Sequence, residues 1–97
     1  MFNCIIVNGQ MLTRGIVDLS LEGLQQKVGG YIEPVSLGFG YVIVCNEDGM
    51  ALGLDRNALG LKGTAVICKM SEDGFEALTD DEQNEILNKI SQGQFRF

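Results

Sequence analysis

Tyr41-Val42-Ile43-Val44-Cys45 is apolar at every position. Side chains of a strand alternate between its two faces, so a strand with no polar position is covered on both sides. This run therefore places a central sheet in the fold. Val28-Gly29-Gly30-Tyr31-Ile32-Glu33 sits just before it. There a short helix stops, two glycines turn the backbone, and the next strand begins.

The other segments fall around that centre. Phe2 to Val7 reads as a strand. Asn8-Gly9 suits a type I′ turn, with Gln10 to Val17 as the return strand. Gly15 marks a bulge or an early end there. Ser20 can cap a helix whose apolar stripe is Leu21, Leu24 and Val28, with Lys27 near its end and Gly29 just beyond it. Tyr31 to Leu37 is the following strand, and Pro34 argues for an edge or a bulge. Gly38-Phe39-Gly40 connects to the central run, and Asn46-Glu47-Asp48-Gly49 is a turn. Met50 to Leu54 reads as a short strand pairing back. Asp55 to Gly60 is a loop or a single helical turn, and Gly63 to Met70 is the last strand. After the turn Ser71 to Gly74, Phe75 and Leu78 dock the chain on the core. Thr79 and Glu82 form a capping box, with Asp80 and Asp81 in the first turn of a second helix. Ile86, Leu87 and Ile90 are its apolar stripe. Residues 91–97 read as a loose tail; the alternative is an aromatic anchor, Phe95-Arg96-Phe97, onto a neighbour.

The order is β-β-α-β-β-β-β-α. Short turns favour antiparallel pairing, so the reading is an α+β domain: a mostly antiparallel sheet of five to six strands with two short helices on one face. At 97 residues the chain is one domain, 1–97. That length is close to where folding alone is marginal, which favours a homo-oligomer. No apolar run approaches the roughly 18 residues of a spanning helix, and the start carries no basic leader. A cytoplasmic protein without membrane contact is expected.

Charge and chemistry narrow the function. The net charge is −6, and seven of the thirteen acids lie between Glu72 and Glu85 with no Lys or Arg among them. The rest is near neutral, so direct nucleic-acid binding is not expected. There is no histidine, which excludes every His-based triad and the commonest metal ligand. Cys4, Cys45 and Cys68 are widely spaced in apolar runs and read as buried thiols. No dinucleotide fingerprint or P-loop occurs. No cofactor, metal or catalytic residue is expected. Tyr31 and Glu33 are two apart on a strand and share a face. A glutamate buried there needs a partner, and Arg56 is the candidate. Tyr31, Glu33, Arg56 and Asn57 are the candidate ligand-binding residues, with Tyr31 stacking on a ring and Arg56 or Asn57 holding polar groups. Asp80, Asp81 and Glu85 are the candidate partner-binding residues of an acidic helix.

Four blocks carry a resemblance: Val28 to Glu33, Val44-Cys45-Asn46-Glu47-Asp48-Gly49, Leu52-Gly53-Leu54-Asp55-Arg56-Asn57 and Gly63-Thr64. In order and spacing the chain, from about Ser20 to Leu78, resembles a family of small proteins of bacterial phages, plasmids and other mobile elements, catalogued as a domain of unknown function. Its block commonly reads Gly-Leu-Pro-x-Asn; here Asp55 replaces the proline and Asn57 is retained. The resemblance implies an accessory protein of a mobile genome. By analogy of genome context, small acidic phage proteins of this kind often act against host defences by mimicking DNA, blocking a protein, or sequestering a nucleotide signal. The leading expectation is a non-enzymatic counter-defence binding module for a host factor, such as a small nucleotide-like signal. An acidic inhibitor or DNA mimic acting on a host protein is the rival. A carboxylate-dependent hydrolase working through Glu33 is the third.

Overall fold

The computed structural model describes residues 2–97, the side chain of residue 2 excepted. Six strands and two helices follow in the expected order: β1 Phe2–Asn8, β2 Met11–Val17, α1 Leu21–Val28, β3 Ile32–Gly38, β4 Tyr41–Asn46, β5 Ala65–Ser71, β6 Gly74–Glu76 and α2 Asp80–Ser91. The sheet runs β2-β1-β5-β4-β3, antiparallel throughout. β6 pairs with β5 beyond the end of β1. The α+β class stands.

β1, β4 and β5 explain the layering. In β4, Tyr41, Ile43 and Cys45 enter one core while Val42 and Val44 enter another. β1 and β5 divide in the same way, with Ile5 and Ile67 on one face and Cys4 and Cys68 on the other. Each face must be covered, and each receives one helix. Leu24 of α1 closes the Cys4 face, and Ile86 of α2 closes the Ile5 face. The expectation that both helices share a face is corrected: they lie on opposite faces, as three strands apolar on both sides demand.

Local chemistry fixes the ends of the elements. The Ser20 side chain accepts a bond from Gly23 N–H, and Gly29 ends α1 at φ 82°. Both arms of the Thr79–Glu82 capping box form. Pro34 lies on β3, an edge of the sheet, and the β3–β4 register shifts between Ser36 and Gly38. In the first hairpin, Asn8 pairs with Met11 and Gly9 alone has a positive φ. That arrangement fits a type II′ turn, with glycine first, rather than the expected I′ turn centred on Asn8-Gly9.

Three segments differ from expectation. Met50 to Leu54 is a compact turn, not a strand. The N–H groups of Leu52, Gly53 and Leu54 donate to the carbonyls of Asp48, Met50 and Gly49. With its donors met locally, the segment needs no ladder partner. The sixth strand is instead β6, which pairs back on β5 at a place where only docking of Phe75 and Leu78 is expected. Nor is the tail loose. Phe95 packs against the Ile5-face core, and Phe97 N–H donates to Leu59 C=O at 2.8 Å.

Candidate functional site

α1 ends, β3 begins, β4 ends and β5 begins at one end of the sheet, beside the β1–β2 turn. The long connection from β4 to β5 also lies there, because Ala58 N–H donates to Gly9 C=O at 2.7 Å. Within that connection Arg56 and Lys62 form an antiparallel bridge, so residues 55–63 are a small hairpin of their own.

Asn57 organises this hairpin. It is buried; its Nδ2 donates to Gly63 C=O at 2.9 Å, and its Oδ1 accepts from Leu59 and Leu61 N–H at 2.9 and 3.3 Å. Arg56 is exposed and donates to Gly60 C=O at 2.6 Å. Arg56, Asn57 and Gly60 line a depression of about 180 Å3 together with Arg96 and Phe97 of the tail. The structure thus brings together two of the four sequence candidates and adds two more. The sequence signal is the triplet Phe95-Arg96-Phe97, which reads as a loose tail or as an aromatic anchor onto a neighbour.

Tyr31 and Glu33 do not line this depression. Tyr31 is exposed, and its carbonyl accepts from Glu47 N–H at 2.8 Å. Glu33 is exposed on edge strand β3, so it needs no buried partner. The expected Glu33–Arg56 ion pair is absent among the described residues. A residue that the sequence marks only as part of a turn ties the region together. Buried Asn46 donates to Val28 C=O at 3.1 Å and accepts from Asp48 N–H at 2.8 Å. It joins the end of α1 to the turn after β4.

Asn8, Val28, Leu54, Asp55 and Thr64 line a second, larger depression of about 300 Å3. Thr64 Oγ1 lies 3.4 Å from Asn8 Oδ1.

The acidic segment divides into engaged and open residues. Glu82 closes the capping box and pairs with Lys69 at 3.0 Å. Those bonds, the Thr79 N–H first, hold its carboxyl below the ordinary glutamate range. Glu85 accepts from the Tyr41 hydroxyl at 3.2 Å and sits 4.0 Å from Lys89. Burial and that carboxylate push the Tyr41 hydroxyl up to about 12. Asp80 and Asp81 are exposed, with no ion pair among the described residues. The three thiols are buried, and burial pushes Cys4 up to about 11 and Cys68 to about 12. Cys45 is raised by burial and then by the charge of Glu33. Thiols so placed are poor nucleophiles.

A family model described as Domain of unknown function (DUF3846) matches residues 3–91. No curated protein and no solved structure matches the chain.

Proposed function

We infer the function from one premise: the chain belongs to the family described as Domain of unknown function (DUF3846). That description assigns no activity, so the reading rests on the chain's own geometry. The protein is a non-enzymatic binding module for a small anionic, nucleotide-like ligand. One observation supports this above the others. Arg56 and Arg96, far apart in sequence, line the same depression with Phe97. Neither has an ion pair among the described residues. Two guanidinium groups at one depression favour an anion, and their planar donors match phosphate oxygens. Phe97 is half exposed at the rim and offers a face for a base. Asn57 holds the loop and does not itself reach the ligand. Arginine binds and orients but does not exchange a proton at neutral pH, so the reading is binding rather than turnover. The mobile-element setting, and with it a counter-defence role sequestering a nucleotide signal, rests on the sequence blocks.

Calorimetry against cyclic nucleotides, ADP-ribose derivatives and inorganic phosphate tests the reading. At least one should bind, and Arg56→Ala and Arg96→Ala should each weaken it about tenfold or more, the scale of a charge-assisted hydrogen bond. A folded protein that binds none of these anions ends the proposal.

A second reading has one observation in its favour. Lys69 lies opposite Glu76 in the β5–β6 ladder and forms an ion pair with Glu82 on α2, so the β5–β6 hairpin lies beside the start of α2. The acids Glu72, Asp73, Glu76, Asp80 and Asp81 therefore share one end of the molecule. A host protein with a basic surface is the partner such an inhibitor would meet. Charge reversal at Asp80, Asp81 and Glu85 would abolish that contact and leave anion binding intact.

A further inference from the structure

The hairpin 55–63 contributes to two depressions of opposite character. Arg56 and Asn57 line one of them with Arg96, and their neighbours Leu54 and Asp55 line the other. Asp55 faces the larger one, whose lining includes no Lys or Arg.

Four features give that larger depression its chemistry. The Asp55 carboxylate has no ion pair among the described residues. Asn8 and Thr64 set an amide and a hydroxyl beside each other across β1 and the start of β5. Val28 is the last residue of α1, and the aligned peptide dipoles of a helix leave a partial negative charge at its C-terminus. Leu54 and Val28 add apolar wall. The volume, about 300 Å3, is at the lower end of small-ligand sites. A divalent metal is a poor fit. Such an ion is held by several carboxylates, and no group of three or more acids or cysteines gathers among the described residues.

We propose that the depression lined by Asn8, Val28, Leu54, Asp55 and Thr64 binds the primary ammonium group of a small aliphatic amine. The ammonium pairs with Asp55 and donates to the Asn8 and Thr64 oxygens at the negative end of α1. The alkyl body lies on Leu54 and Val28. Putrescine has this chemistry, and 1,4-butanediol is its neutral counterpart. The inference goes beyond the anion reading and does not depend on it, because the two depressions share no lining residue.

The test is titration of the whole 15N-labelled chain with putrescine, followed by backbone amide shifts. Saturable shifts are expected at Asn8, Gly9, Gly63 and Thr64, and 1,4-butanediol at the same concentrations should give none. Asp55→Asn keeps the shape and removes the charge, and should weaken binding at least tenfold. The Asp55 backbone, not its side chain, accepts from Gly63 N–H, so the hairpin survives the change. Asp80→Asn with Asp81→Asn removes two acids elsewhere and should alter affinity less than twofold. Arg56→Ala should leave putrescine binding unchanged while weakening anion binding about tenfold or more. Shifts spread over the acidic end, an effect of the Asp80/Asp81 pair as large as that of Asp55→Asn, or no saturation would each overturn the proposal.

Discussion

Asn57 and Arg56 are neighbours with different work. Asn57 satisfies three backbone groups of its own hairpin, two of them N–H donors. Removing it leaves buried polar groups unpaired, at about 1–3 kcal/mol. Asn57→Ala should therefore lower the stability of the chain by about 2–3 kcal/mol in urea denaturation. Arg56→Ala, at an exposed side chain, should stay within about 0.5 kcal/mol. If the two changes destabilised alike, Asn57 would not be the hairpin's organiser. Glu82 makes a pH prediction. Bonds from Thr79 and Lys69 lower its folded pKa, so below about pH 4.3, the ordinary glutamate value, the unfolded chain binds more protons than the native one. The stability it contributes is present above that value and is lost as pH falls through the folded pKa. Glu82→Gln should flatten the midpoint-against-pH curve in that window, which thermal melts across the acid range can read.

Elements whose cause is local were legible in the sequence. Ser20, Gly29, Thr79 and Glu82 act within a turn or two of their own position; both helices begin, and α1 ends, where those residues put them. Pro34 correctly marked an edge. Elements decided by distant partners were not legible. Met50 to Leu54 alternates like a strand, yet its donors close on Asp48, Gly49 and Met50. Gly74-Phe75-Glu76 is too short to read as a strand until β5 lies beside it. The candidate site divided along the same line. Arg56 and Asn57 lie in one local loop, whereas Arg96 joins them only because the tail folds back. That return depends on Gly60, where φ is +87° and the Phe97 carbonyl occupies the space a Cβ would need. Gly60→Ala should release the tail without unfolding the sheet. Hydrogen exchange would then be faster at the Phe97 amide and unchanged at Ile43 and Ile67. Equal acceleration at all three would mean the tail and the sheet open together.

At the scale of the molecule, the radius of gyration is 12.1 Å, against about 13 Å for a 100-residue domain, so helices and tail are all drawn onto one sheet. Two cores lie back to back across it and share β1, β4 and β5, each strand giving alternate side chains to either side. Neither core can lose its strands while the other keeps them, so the faces should unfold as one. The thiols provide a readout. Cys4 and Cys68 are fully buried on the α1 face, and burial raises their pKa values. Reaction with a thiol reagent must await opening of that face. Ile86 is fully buried on the α2 face. Ile86→Ala should cost about 2–5 kcal/mol through lost contacts and a residual cavity. In a Cys45→Ala background only Cys4 and Cys68 react. If the sheet opens as a unit, Ile86→Ala should speed their labelling about thirtyfold or more, since roughly 2 kcal/mol is that factor in the open population. The same change should lower the circular dichroism midpoint by an equivalent free energy. A lowered midpoint with labelling unchanged would show the α2 layer melting alone, with the α1 face holding the sheet without it.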